Sequence, residues 1–151
     1  MVNIRPACEA DIPRILDLYR ELAIIVTGVE QSRNPSPAEC RGVFAAICAD
    51  PNHELLVVDC DGEVAGTVVL LIVSNLSHAA SPWALVENLV VDHRYRRRGV
   101  GRKLLEHVIA RARESGCHRI ELCSDKRRKE AHRLYRSTGF EASAYGFRIY
   151  F

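Results

Sequence analysis

The apolar run Leu85-Val86-Glu87-Asn88-Leu89-Val90-Val91 leads into Arg96-Arg97-Arg98-Gly99-Val100-Gly101-Arg102-Lys103, and no other stretch constrains the fold as much. Apolar residues then recur at Val100, Leu104, Leu105, Val108, Ile109 and Ala112, the spacing of one helix face. A strand therefore enters an arginine-rich, glycine-containing turn that becomes the first turn of an amphipathic helix. The opening amides of such a helix lack intrahelical partners, and its dipole favours an anion in front of them. Gly99 and Gly101 carry no side chain to keep that anion away. A polyphosphate is the ligand such a turn suits.

What the motif lacks narrows the choice. A dinucleotide fingerprint needs a third glycine where this chain has Leu104, and a P-loop needs Gly-Lys followed by Ser or Thr. What stands here is Arg-x-x-Gly-x-Gly on Arg96, Gly99 and Gly101. It resembles the acetyl-CoA pyrophosphate loop of the GNAT N-acetyltransferase superfamily. The resemblance extends upstream through Glu87-Asn88-Leu89-Val90-Val91-Asp92, and downstream through Ala131-His132-Arg133-Leu134-Tyr135 and Gly139-Phe140. It is close over roughly residues 54–147 and follows the whole chain in element order.

Charge is unevenly placed. Residues 1–93 hold 5 Lys/Arg against 13 Asp/Glu, and residues 94–136 hold 15 against 5. The basic block could serve nucleic acid. It contains only Tyr95 and Tyr135 as aromatics and no nucleic-acid module, so no nucleic-acid partner is expected. The pyrophosphate and 3′-phosphate of CoA account for it more simply. No run of about 18 apolar residues occurs, which argues against a membrane span. The start, Met1 to Pro6, does not read as a signal peptide. Six cysteines are scattered without a C-x-x-C pair, so free thiols in a cytoplasmic protein are expected. Cys117-His118 and Cys123 lack a second pair at zinc spacing, and no metal is expected.

The 151 residues suit one domain spanning 1–151. Val2–Pro6 reads as a strand, and Asp11 as the cap of a helix carrying Ile12, Ile15, Leu16, Tyr19, Leu22 and Ala23. Gly28 to Pro35 is loop. Ser36-Pro37 opens a second helix through about Ala49. Leu55–Cys60 and Val64–Ser74 flank the turn pair Asp61-Gly62. Asn75 to Pro82 is loop, and Trp83–Val91 is a strand apolar enough for burial on both faces. The helix from about Gly99 to Ser115 ends at Gly116, Arg119–Ser124 is the next strand, and a short helix Lys129–Thr138 ends at Gly139. Tyr145–Phe151 alternates as a last strand. The expected fold is the mixed α/β GNAT fold, with a largely antiparallel central sheet, splayed strands and flanking helices.

The resemblance implies acetyl transfer from the acetyl-CoA thioester to a primary amine, either a small molecule or a peptide amine. It places cofactor contacts at the main chain of Leu89, Val90 and Val91, on a bulged strand splayed from the next one. It places others at Arg96, Arg97, Arg98, Gly99, Val100, Gly101, Arg102 and Lys103. An ammonium must lose a proton before it attacks, and Glu87 is the candidate base. A salt bridge from Glu87 to a surface arginine is the competing reading. Tyr135 shares a face with Ala131, Leu134 and Thr138, where a tyrosine is ordinarily core. The family match instead gives its phenol to the departing thiolate as an acid. Many relatives have asparagine where Arg128 stands, so that contact with the pantetheine arm is not carried over.

His107, His118 and His132 read as solvated. His78 borders the acceptor side, as do Glu30, Arg33 and Asn34. The loop Leu76-Ser77-His78 before Trp83 is similar to that of small-amine acetyltransferases such as the aminoalkylphosphonate-acetylating enzymes. A homodimer through the C-terminal strands is compatible with the superfamily. The alternative function is a catalytically silent acetyl-CoA-binding regulatory module.

Overall fold

The computed structural model describes residues 2–26, 34–149 and 151. Strands β1 (Val2–Pro6), β2 (His53–Cys60), β3 (Glu63–Val73), β4 (Trp83–Val91) and β5 (Ile120–Leu122) form one sheet in that order. The first four pair antiparallel and β5 joins β4 in parallel, so the sheet is mixed and mostly antiparallel, as expected. Helices α1 (Ile12–Val26) and α2 (Pro37–Ala49) precede β2. A single turn, α3 (Ser77–Ala80), precedes β4, and α4 (Val100–Glu114) and α5 (Lys129–Ser137) flank β5.

Alternation along the strands feeds two apolar layers. Leu56, Val58, Val68, Leu70, Ala84 and Val86 join Val100, Leu104, Leu105, Val108 and Ala112 of α4 in one core. Val57, Val69 and Val90 are also buried, and α1, which contacts β3 and β4, contributes Ile15 and Leu18. In β4 the buried residues are Ala84, Val86, Leu89 and Val90, while Glu87 and Asn88 are exposed, so the expected burial on both faces is only partial. Ser36 accepts from the Glu39 amide at 3.2 Å while Glu39 accepts from the Ser36 amide at 2.7 Å, a reciprocal cap that starts α2. Asp61 at φ 55° and Gly62 at φ 90° make the tight β2–β3 turn. All six cysteines are free thiols, and no helix among the described residues is long and apolar enough to cross a membrane.

Four expectations are corrected. Asp11 is not the N-cap of α1. It ends a 3-10 turn, Glu9–Asp11, and its carboxylate reaches back to the Cys8 amide at 2.8 Å and to Arg5 at 2.7 Å. The strand expected over Arg119–Ser124 is ordered as a ladder only at Ile120–Leu122, because β4 offers partners only at Ala84, Leu85 and Val86. The Asn75–Pro82 loop contains α3, in which His78, Ala79 and Ala80 all take positive φ near 53–59°. Left-handed turns of this kind cost roughly 1–2 kcal/mol per residue. Compensating contacts include a Ser77 Oγ–His78 Nδ1 bond of 2.9 Å and stacking of His78 on His118, with ring centroids 4.0 Å apart. Among the described residues no last strand forms: Tyr145, Phe147 and Ile149 lie outside the ladder and stand exposed with Phe151. Tyr150, Glu30 and Arg33 lie outside the described residues, while Asn34 is exposed.

Asp11 and Asp92 give the fold an acid limit. The hydrogen bond from Arg5 is the main reason that the Asp11 carboxyl titrates at about 2. Burial pushes Asp92 upward, but the side chain and amide of Arg94 outweigh it, and this group also falls to about 2. Unfolded aspartate titrates near 3.9. Stability lent by these carboxylates is therefore complete above that value and is lost as pH falls through about 2. In denaturant titrations, the stability gap between the native chain and Asp11→Asn should be constant above about pH 5 and narrow toward pH 2. A gap independent of pH would remove this account.

Candidate functional site

The β3–β4 register pairs Val69 with Glu87 and Thr67 with Val90, so two residues of β4, Asn88 and Leu89, oppose Val68 alone. This bulge puts Asn88 at φ 53°. Beyond Val86, β5 no longer follows β4. Where that pairing ends, Glu87 and Asn88 are exposed although Val86 and Leu89 on either side are buried. The salt bridge considered for Glu87 is not formed with any described residue. Leu89 has no partner in the β3 register, which leaves its main-chain groups outside that ladder.

Tyr135 is the buried residue of α5. Its ring is 7% exposed and meets Phe140 edge-on at 6.2 Å. Burial raises the phenol pKa, Arg128 and Ser124 pull it back, and the charge of Glu87 raises it further. His132 does not lie free in solvent. It is half-buried, and its Nε2 is 3.2 Å from Ser124 Oγ.

Sequence reasoning missed Tyr19. It occupies the inner stripe of α1, and burial raises its phenol pKa while Asn88 and Thr67 pull it back. Helical periodicity marks it as inward-facing. Only the bulge brings Asn88 to meet it. Asp92 was likewise quoted without a role. It is 1% exposed, pairs with Arg14 of α1, and accepts from the Arg94 amide at 2.7 Å and from Arg94 Nη2 at 2.9 Å. It thereby ties the exit of β4 to α1 and to the turn His93–Tyr95.

The loop that follows has Arg97 at φ 61° and Gly99 at φ 79°. Gly99 caps α4 without any side chain. The first helical bond, Lys103 N–H to Gly99 O at 3.0 Å, leaves the amides of Val100, Gly101 and Arg102 ahead of it. Arg97 is 79% exposed, with Glu130 at 3.6 Å, and Arg98 lies 5.7 Å over the Tyr95 ring. Lys103 is exposed. Two other arginines, also exposed, are engaged by protein partners. Arg96 donates to Val91 O at 3.1 Å and pairs with Glu21, and Arg102 donates to Ser137 Oγ at 2.8 Å. Open amides beside exposed cations form a donor set suited to a pyrophosphate.

Gly101 serves packing as well. A Cβ there would lie 3.1 Å from Leu134 Cδ2 and 3.6 Å from Val91 Cγ2. Gly101→Glu would therefore press on α5, so it is not a clean probe of ligand binding. Gly101→Ala should lower stability by roughly 1–3 kcal/mol, the usual cost of overpacking. Denaturant titration measures it, and an unchanged midpoint would mean that Leu134 yields freely.

Glu21, Asp92 and His93 bring three ligand atoms within 4.8 Å of one another. Arg14, Arg94 and Arg96 already neutralise those carboxylates, which is poor provision for a cation. A cavity of about 500 Å³ lined by Phe44, Ile47, Leu55 and Arg111 includes neither Glu87 nor Tyr135.

The family model described as "Acetyltransferase (GNAT) family" matches residues 14–140. An aminoalkylphosphonate N-acetyltransferase from Salmonella typhimurium is 33% identical over 108 residues, covering 71% of this chain and 69% of that protein. A Bacillus halodurans structure described as a transcriptional regulator superposes with TM-score 0.88 at 33% identity over 100% of both chains. Glucosamine-6-phosphate N-acetyltransferase from Arabidopsis thaliana gives TM-score 0.85 at 20% identity, covering 100% of this chain and 99% of that one.

Proposed function

Because the chain belongs to the GNAT acetyltransferase family, we propose that it transfers the acetyl group of acetyl-CoA to a primary amine by direct attack. The observation that carries this reading is the bulge in β4, which exposes Glu87 beside the unpaired main chain of Leu89 and leads into the open amides at the start of α4. Glu87 accepts a proton from the ammonium, directly or through water, so that a lone pair is free to attack. Tyr135 gives its proton to the sulfur as the C–S bond breaks. The amides at the start of α4, with Arg97, Arg98 and Lys103, hold the pyrophosphate. Main-chain groups of Leu89, Val90 and Val91 take the pantetheine arm and polarise the acetyl carbonyl.

A small amine is the favoured acceptor, supported by the Salmonella relative that shares a third of its aligned residues with this chain. Six free thiols suit a reducing compartment, and we place the enzyme in the cytoplasm. Turnover of acetyl-CoA with a panel of amines, aminophosphonates, aminoglycosides and peptides tests the function. Tight acetyl-CoA binding without turnover on any of them would favour a regulatory module, the reading to which the name of the Bacillus halodurans structure gives some support.

The C-terminal segment supports a homodimer. Tyr145, Phe147, Ile149 and Phe151 alternate and are 81–117% exposed. Three aromatic rings at roughly 150–250 Å² each, with Ile149, would supply most of the roughly 800 Å² per partner of a standard interface. Phe147→Asp combined with Ile149→Asp should convert the dimer to monomer in sedimentation experiments. A native chain that is already monomeric at high concentration would remove this proposal.

A further inference from the structure

We propose that Glu21 and the carbonyl of Val91 hold Arg96 as a latch that the pantetheine arm of acetyl-CoA must displace. The inference rests on the reading of this face as an acetyl-CoA site. Its basis is the position of one guanidinium. Arg96 Nε donates to Val91 O at 3.1 Å, and Arg96 Nη2 lies 3.4 Å from Glu21 Oε2 on α1. The side chain of Arg96 therefore folds back over the end of β4, whereas its neighbour Arg97 is 79% exposed.

Strand geometry makes that carbonyl matter. Main-chain hydrogen-bonding groups along a strand alternate between its two edges. The Asp92 amide donates to Ala65 O at 2.8 Å, toward β3, so Val91 turns its carbonyl to the opposite edge. β5 lies along that edge only as far as Val86. Beyond it, an extended ligand with amide N–H groups can pair with β4 in place of a strand. The pantetheine arm carries two such amides. The carbonyl that would receive one of them is already occupied by Arg96.

The latch is built to release. The Arg96 side chain is 40% exposed, and ion pairs in such positions are weak. α1 stays in place when Arg96 leaves, because Arg14, two turns before Glu21, pairs with the buried Asp92. Glu21 then keeps His93, whose Nδ1 lies 3.7 Å from Oε1. A released guanidinium can pair with the pyrophosphate through two parallel hydrogen bonds. Arm and phosphates thus act together: the arm takes the carbonyl and the phosphates take the cation. A ligand with the arm alone has to open the latch unaided.

S-Acetylpantetheine, the arm without its nucleotide, isolates the contact because it is neutral. Arg96→Met frees Val91 O and should bind this probe about three- to tenfold more tightly than the native chain does, the net contribution of one hydrogen bond. Glu21→Gln, a milder change that keeps Arg96, should tighten it by about two- to fivefold. Glu130→Gln removes the acid beside Arg97 and should leave a neutral ligand unaffected. Calorimetric titration or ligand-observed NMR reads the affinities. Unchanged or weaker binding by the folded Arg96→Met and Glu21→Gln chains overturns the latch, as does an equal gain in Glu130→Gln. A structure of the acetyl-CoA complex is the second readout, and in it Arg96 Nε should lie beyond hydrogen-bond reach of Val91 O. Arg96 still bonded to that carbonyl with the arm in place also overturns the latch. A native chain that binds neither acetyl-CoA nor S-acetylpantetheine removes the acetyl-CoA reading itself, and the latch with it.

Discussion

Replacing Tyr135 by phenylalanine is expected to slow the chemical step of acetyl transfer by about 10²–10⁴-fold, the usual contribution of a positioned general acid. The substitution keeps the ring that packs on Phe140 inside the α4 core, so folding should be little affected. Ser124 keeps His132 as a partner, and Arg128 is half-exposed and can turn to water, so neither is stranded. Acetyl-CoA affinity should be nearly unchanged, because the pyrophosphate is held at the start of α4 and not by the phenol. Single-turnover experiments are the right measurement, since product release can mask the loss in steady state. A chemical step as fast as that of the native chain would return Tyr135 to a packing role and leave thiolate protonation to water.

The order of elements was legible in the sequence because local periodicity and turn chemistry carry it. The α4 stripe of Val100, Leu104, Leu105, Val108 and Ala112 is buried as its spacing predicts, and Ser36 and Glu39 cap α2 reciprocally. What local pattern cannot encode is which elements meet. His132 sits where a helical wheel leaves it polar, and only the end of β5 brings Ser124 against it. Tyr19 looked like one more apolar position of α1 until the bulge turned Asn88 toward it. Gly101 read as room for a ligand, whereas its missing side chain also makes room for Leu134, 33 residues along the chain. The C-terminal alternation of Tyr145, Phe147, Ile149 and Phe151 read as a last strand, and no strand forms there among the described residues. It could not say that β5, three residues long, would not take that segment as a neighbour.

Acetyl-CoA is expected to raise the melting temperature by roughly 5–11 °C when present at about one hundred times its dissociation constant. A ligand bound only by the folded state contributes about 2.7 kcal/mol at that concentration. A domain of this size gains roughly 2–4 °C for each kcal/mol. NAD and ATP should give smaller shifts, since the loop has neither the third glycine of a dinucleotide fold nor the Lys-Ser/Thr of a P-loop. Gly101 is unsuitable for locating the site, for the steric reason already given. Arg97 is better: it is largely exposed, its neighbour Glu130 is 3.6 Å away, and its reversal should cost the fold little. Charge-assisted hydrogen bonds contribute about 1.5–3 kcal/mol each, so Arg97→Glu should weaken acetyl-CoA by roughly 10–100-fold and shrink the thermal shift accordingly. The same reversal at Arg113, exposed near the far end of α4, should leave the shift intact. Equal shifts with acetyl-CoA, NAD and ATP would make the loop a general anion site. A shift that survives Arg97→Glu in full would exclude Arg97 from the pyrophosphate contacts and leave the open amides of Val100, Gly101 and Arg102 to hold the ligand.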